Sequence, residues 1–280
     1  MSRIIDGKLV AAAIKAEVSE EVKELKEYGR EVGLAVILVG ENPASQVYVR
    51  NKKRACEECG IKSYEYILPE TYGQENLLKT IKLLNSVPEI SGILCQLPLP
   101  EGYDEKAVME AVSPEKDVDC FHPSNVGRVM TGNYNFLPCT PAGIIEMLDY
   151  YNIDITGKDC VVVGRSNIVG KPISLMLLNR SGTVTICHSK TKNLAEVCKR
   201  ADILIAAVGK PKFITEDMVK EGAVVIDIGI NRVDGKLCGD VDFENVSKKT
   251  SYITPVPGGC GLTTVAMLMK NTLQAAKIAK

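Results

Sequence analysis

Short, nearly continuous apolar runs alternate with segments of helical period along almost the whole chain, and that alternation leaves few architectures open. A run such as "LAVILVG" at 34–40 or "KDCVVVG" at 158–164 has no polar face to offer to water, so both of its faces must be covered. Strands inside parallel sheets flanked by helices meet that need, and an α/β class is expected.

The order of the segments predicts two domains. Ile14, Val18, Val22 and Leu25 recur at helical spacing and lead into the run at 34–40. "ENPASQVYVRNKKRACEECG" then opens with Asn42 as N-cap and Pro43 at the first helical position, and Gly60 closes it. The strand "SYEYILP", a helix carrying Leu77, Ile81 and Leu84, and the strand "SGILCQLPLP" complete a small α/β domain over residues 1–120. Residues 121–150 form a boundary: from Asp119 to about Phe136 the chain is irregular and rich in Gly, Asn and Pro, and a connecting helix follows with Thr140 as cap and Pro141 first. Over 151–261 the runs "GTVTICHS", "DILIAAVG" and "AVVIDIGI" are expected to assemble into a Rossmann-like, doubly wound parallel sheet. The last stretch, 262–280, is one helix with Leu262, Ala266, Met269 and Leu273 on a stripe, expected to pack back on the first domain.

At 280 residues and 45% hydrophobic, the chain can bury two cores. A formal net charge of -1 argues against a broad phosphate-neutralising surface, so nucleic acid is not an expected partner. No apolar run reaches the length of a membrane span, and "MSRIIDGKLV" lacks the features of a secretory signal; a cytoplasmic protein is expected. The ten cysteines are scattered, and the one C-x-x-C, Cys56 to Cys59, falls one helical turn apart. With His122 and His188 the only histidines, no metal site is expected.

Two segments carry chemistry. "CVVVGRSNIVGKPISLMLLN" is a strand, a turn bracketed by Gly164 and Gly170, and a helix, the layout of a dinucleotide-binding unit in which Ser166 stands for the middle glycine. The next strand ends in His188, Ser189, Lys190 and Thr191, without the acid that usually meets a free ribose 2'-hydroxyl. With Arg165 in the turn, that set favours NADP over NAD, the alternative being an ordinary polar loop. In the first domain Ser45, Tyr48 and Lys52 share one helix face, suited to stacking on a planar ligand and moving a proton beside it. A solvated basic face, with Lys53 and Arg54 adjacent, is the competing reading.

"ENPASQVYVRNK", "GILCQLPLP", "PEKDVDCFHP", "GRSNIVGKP" and "PVPGGCG", in this order, resemble the bifunctional methylenetetrahydrofolate dehydrogenase / methenyltetrahydrofolate cyclohydrolase family over essentially the whole chain. The resemblance implies two α/β domains flanking a cleft, a homodimer formed through the cofactor domain, and interconversion of one-carbon forms of tetrahydrofolate. It implies Lys52 as the catalytic lysine, Tyr48 stacked on the aminobenzoyl group, Gln96 bonded to the lysine with Leu97 and Pro98 beside it, and Asp119 on the pterin. Gly258 and Gly259 would approach the folate closely, and Ser45 would line the same site. Gly164, Arg165, Ser166, Ile168, Ser189, Thr191, Ile230 and Thr264 fall at cofactor positions.

Departures from the family pattern are Cys260, Leu262 and Thr263 for Val, Pro and Met, and Cys120 for the glycine after the aspartate. Loss of the proline is expected to loosen a turn. Rival readings are an NAD-dependent dehydrogenase without hydrolase activity, a shikimate-type reductase and a nucleotide-sensing module.

Overall fold

A computed structural model of the chain describes residues 2–279, apart from the side chain of Ala44. The chain divides into two compact units: Ala12–Cys139 with Val265–Lys280, and Met1–Ala11 with Thr140–Thr264. The first strand, β1 (Arg3–Ile4), explains why residues 1–11, placed by the sequence pattern with 1–120, group with 140–264: it pairs with a strand near residue 252.

After β1, helix α1 (Gly7–Glu27) buries Ile14, Val18 and Val22 and feeds β2 (Gly33–Val39), which is buried along its whole length. Helix α2 (Pro43–Cys59) follows, and Asn42 caps it: its Oδ1 accepts the Ser45 N–H at 3.2 Å. Strand β3 (Lys62–Leu68), helix α3 (Gln74–Asn85) and strand β4 (Gly92–Cys95) complete a three-stranded parallel sheet in the order β3-β2-β4. The central position of β2 accounts for its unbroken apolar run, whereas β3, at an edge, alternates. Beyond helix α4 (Glu105–Ala111), residue Asp117 bridges Ile93 in parallel, and the Ile93 N–H reaches Lys116 O at 2.8 Å. This extra rung brings residues 117–119 alongside the end of β4.

The stretch expected to be irregular contains helix α5 (Pro123–Thr131). His122 caps it by accepting the Ser124 N–H at 3.1 Å, Pro123 stands in the first turn, and Gly132 ends it in the left-handed conformation. Gly and Asn inside "SNVGRVMTGNYN" masked the helical period, but the cap signals were present. The connecting helix, α6 (Cys139–Tyr150), starts at Cys139, so Thr140 lies within its first turn; the Thr140 hydroxyl pairs with that of Thr264 at 3.0 Å.

Next come β5 (Asp159–Val163), α7 (Gly170–Asn179), β6 (Thr183–Cys187), α8 (Leu194–Cys198), β7 (Ile203–Ala206) and β8 (Val224–Asp227). A hairpin of β9 (Asn231–Val233) and β10 (Lys236–Cys238), the short helix α9 (Phe243–Val246), β11 (Tyr252–Ile253) and the long helix α10 (Cys260–Ile278) end the chain. The six-stranded sheet runs β1-β11-β8-β7-β5-β6, all parallel. Strand order reverses about β5, which pairs with β6 on one side and β7 on the other, and ligands of open α/β sheets bind at such a reversal, at the carboxyl ends of the strands.

"GCGLTT", expected to be a loosened turn, is the first turn of α10. The Leu262 N–H, which a proline would lack, donates to Gly259 O at 3.2 Å, so the substitution adds a hydrogen bond.

Candidate active site

In the unit of the three-stranded sheet, polar side chains gather at the carboxyl ends of β2 and β4. The Gln96 N–H continues the ladder to Ile37 O at 2.8 Å, fixing the residue that follows β4. Its side chain accepts from Lys52 Nζ at 2.8 Å through Oε1 and donates from Nε2 to Leu97 O at 2.6 Å. The amide is therefore locked between the lysine and its own backbone, with the oxygen turned to the amine. Ser45 is buried on α2, Tyr48 is 38% exposed, and Lys52 is only partly exposed, so this face of the helix is not a solvated basic surface. The flanking cations turn away: Lys53 is exposed and pairs with Glu65. Leu97 is partly buried and Pro98 exposed.

Asp119 closes the constellation. Burial raises its carboxyl above the usual range, the Lys52 charge opposes that rise, Asp117 adds to it, and a hydrogen bond from Cys139 counters it. Burial likewise pushes Lys52 below its ordinary value of 10.5, with Asp119 the largest opposing influence and Cys139 and Cys56 acting the same way. Both groups are thus moved toward their neutral forms by desolvation, and each partly holds the other charged. A lysine so placed gives up its proton more readily than one in water.

Cys139 and Asn271 were not foreseen in the sequence. The Cys139 thiol sits 3.3 Å from Val118 O and also bonds the Asp119 carboxylate, and Asn271 Nδ2 donates to Val118 O and Leu137 O, each at 2.8 Å. The residues lie 132 positions apart, and nothing local signals their meeting. Burial favours the protonated thiols near this site: it lifts Cys56 and Cys95 each to about 12, and it raises Cys120 and Cys139 as well. Cys59 is raised to about 11. Cys120 itself is fully buried with φ 61°, the left-handed region that accounts for glycine at that position in the family pattern.

In the other unit, the turn after β5 is built differently from a plain glycine loop. Gly164 has φ 137°, and a Cβ there would stand 2.2 Å from Ala207 O. Ser166 Oγ accepts from the N–H groups of Val169 and Gly170, each at 3.2 Å, and Ser166 O takes that of Lys171 at 3.1 Å. Pro172 has none to offer. The first N–H groups of α7 are consequently satisfied within the turn by the serine that replaces the middle glycine. The side chains of Arg165, Ser166 and Ile168 are exposed there, as are those of Ser189 and Lys190 after β6. No carboxylate occurs in residues 187–193, and Thr191 Oγ1 closes that loop by accepting the His188 N–H at 2.9 Å. This cationic and hydroxylic set fits a dinucleotide carrying a 2'-phosphate.

Ile230, 50% exposed, stands on the loop after β8. Thr264 Oγ1, besides Thr140, bonds Cys260 O at 2.9 Å. Gly258, with φ 110°, adopts backbone that side chains avoid, and its carbonyl accepts the Gly7 N–H at 2.9 Å. Thus Ser45, Tyr48, Lys52, Gln96, Leu97, Pro98 and Asp119 lie in one compact unit, and Gly164, Arg165, Ser166, Ile168, Ser189, Thr191, Ile230, Gly258, Gly259 and Thr264 in the other.

Residues 5–119 match the catalytic domain of tetrahydrofolate dehydrogenase/cyclohydrolase, and residues 138–280 match the NAD(P)-binding domain of the same enzymes. The chain belongs to the tetrahydrofolate dehydrogenase/cyclohydrolase family. It is 60% identical over 278 residues to the bifunctional protein FolD of Agathobacter rectalis, covering 99% of this chain and 100% of that protein. Among solved structures, the bifunctional FolD methylenetetrahydrofolate dehydrogenase/cyclohydrolase of Campylobacter jejuni superposes with a TM-score of 0.97 at 52% identity, covering 99% of each chain. The Trypanosoma brucei enzyme, solved with NADP and an inhibitor, gives 0.94 at 40% identity, covering 99% of this chain and 97% of that one.

Proposed function

We propose that the chain oxidises 5,10-methylenetetrahydrofolate to the 5,10-methenyl form with NADP and hydrolyses the methenyl form to 10-formyltetrahydrofolate. The observation that carries this reading is Lys52, its ammonium disfavoured by burial, held 2.8 Å from Gln96 and paired electrostatically with Asp119. NADP, when bound, supplies the acceptor for the hydride that leaves the methylene carbon. That step needs no strong base, so the chain contributes position: Tyr48 stacks on the aminobenzoyl ring, Asp119 receives the amino-pyrimidine edge of the pterin, and Ser45, Leu97, Pro98, Gly258 and Gly259 border the folate.

Hydrolysis uses Lys52 directly. Water adds to the cationic methenyl carbon, and one of its two protons passes to the neutral amine of Lys52; the bond from that carbon to N5 then breaks as N5 takes that proton from the lysine, the remaining hydroxyl proton leaves to solvent, and the carbon is left as the N10 formyl group. Gln96 keeps the amine directed through this exchange. Gly164, Arg165, Ser166, Ile168, Ser189, Thr191, Ile230 and Thr264 would hold the cofactor, with the 2'-phosphate near Arg165 and Ser189.

The active form is a homodimer through the cofactor unit, a reading supported by the unpaired edge of β6 with exposed Ile186 and, on α7, exposed Leu178. Ten unpaired cysteines fit a reducing compartment, the cytoplasm. Among the described residues no helix is long and apolar enough to cross a membrane.

Methenyl absorbance tests the reading: its appearance from 5,10-methylenetetrahydrofolate should be faster with NADP than with NAD, and its decay should exceed the uncatalysed rate. Preference for NAD, or uncatalysed decay, would contradict it.

A further inference from the structure

Two buried carboxylates have no part in this chemistry. Asp227 ends β8 and is 3% exposed; Asp240, in the segment after β10, is fully buried. Asp240 Oδ2 accepts the N–H groups of Val208 at 2.6 Å and Gly209 at 2.9 Å, and its Oδ1 accepts those of Lys210 and of the Asn231 side chain, each at 2.9 Å. Three consecutive backbone N–H groups turned to one point form an anion nest, and here an internal carboxylate fills it. Asp227 in turn fixes Asp240: its Oδ1 accepts from Gly229 and Asp240, its Oδ2 from Val241, all at 2.9 Å. The fit is tight enough that a Cβ on Gly229 would stand 2.2 Å from Asp240 Oδ1.

The segments so tied both border the cofactor side of the sheet. Residues 207–210 follow β7, and Ala207 at their start packs on the phosphate turn, where its carbonyl oxygen leaves no room for a side chain at Gly164. Ile230 lies between Gly229 and Asn231, each bonded to one of the two carboxylates. A loop with only backbone to hold it samples many conformations, and charged acceptors on its N–H groups remove most of them.

We infer that Asp240, seated by Asp227, is a positioning residue for the dinucleotide: it fixes the loop after β7 to the loop after β8 and so sets where Ile230 and the phosphate turn meet the cofactor. This rests on the proposed NADP-dependent activity. Because methenyl hydrolysis needs no dinucleotide, the same protein reports separately on the folate side.

The test compares the full-length protein with Asp240→Asn, which turns an amide toward a nest of donors, and with Asn231→Ala, which removes one partner and leaves the carboxylate in its nest. Calorimetric titration gives the NADP dissociation constant, hydrogen exchange gives the protection of the 208–210 amides, and kinetics give the NADP KM, folate KM and hydrolysis rate. The expected result is an NADP dissociation constant and KM raised about tenfold or more in Asp240→Asn and about threefold in Asn231→Ala, faster exchange at 208–210, and folate KM and hydrolysis within twofold of wild type. If both variants bind NADP as wild type does, or if folate KM and hydrolysis deteriorate along with NADP binding, the positioning role is wrong. Should Asp240→Asn fail to fold, Asn231→Ala decides alone. A wild-type protein that bound no NADP would instead overturn the underlying functional proposal, and this inference with it.

Discussion

At the carboxyl edge of the three-stranded sheet the polar side chains turn inward: Lys52 bonds Gln96, Cys139 bonds Asp119, the charges of Lys52 and Asp119 couple the two pairs, and burial moves the titrating groups away from their ordinary values. At the same edge of the six-stranded sheet they turn outward. Arg165, Ser166, Ser189 and Lys190 stand in solvent, and the buried polar groups, Asp227 and Asp240, bond the backbone beneath them. The first arrangement suits proton transfer, which needs a desolvated group of altered basicity; the second suits grasping a charged ligand, which needs water-accessible cations on a rigid frame. The contrast implies that side-chain changes at the first edge impair chemistry, whereas backbone changes at the second impair binding.

The largest effect expected from this contrast is for Lys52→Met, which keeps the volume and removes the amine. Methenyl hydrolysis should fall about 10²- to 10⁴-fold, the usual worth of a general base, while NADP binding measured by titration stays as in wild type. Loss of NADP binding would erase the distinction between the edges. Next is Gly164→Ala, whose Cβ would meet Ala207 O at 2.2 Å: the NADP KM should rise at least about tenfold with hydrolysis retained, as paired assays on one preparation would show.

Gln96→Ala is expected to slow hydrolysis about tenfold, the value of one hydrogen bond to a charged group. It also carries a sign. Removing the acceptor destabilises the ammonium, so the Lys52 value should drop further and the rising limb of the hydrolysis pH profile should move to lower pH; a shift upward would contradict the geometry. The smallest effect concerns Cys120. Its left-handed φ of 61° costs about 1–2 kcal/mol in a side-chain-bearing residue, and its thiol is fully buried against Phe136 O at 3.5 Å. Relief of strain and lost packing should nearly cancel in Cys120→Gly, leaving the unfolding midpoint within about 3 °C of wild type, while Cys120→Ala, which loses packing and keeps the strain, should melt lower than either.

The two edges also differ in how much of them the sequence discloses. Lys52, Tyr48 and Ser45 share a stripe on one helix, and Gly164, Ser166 and Gly170 share one turn, so local spacing suffices to find them. The alternation of apolar runs likewise discloses both parallel sheets, because burial on two faces leaves no polar alternation. Helix α5 escaped because its Gly and Asn residues dilute the period while only its caps mark it. Strands β1 and β11 are two residues each, too short for any periodicity, and exist by pairing across the chain. Cys139 against Asp119, Asn271 against Val118 and Asp240 against the 208–210 loop are tertiary contacts between segments whose local patterns say nothing of one another. The Leu262 departure was misjudged for a related reason: a missing proline suggests looseness only if the site is a turn, and a helix start turns its N–H to use.

The central claim is that burial beside Gln96 and Asp119 makes Lys52 a proton carrier, and its titration can be observed directly. In protein labelled with carbon-13 at the lysine side chains, the Lys52 signal, assigned by its absence in Lys52→Met, should titrate below the ordinary value of 10.5 and apart from the exposed lysines. A Lys52 signal that titrates together with the bulk lysines, near ~10.4, would contradict the account.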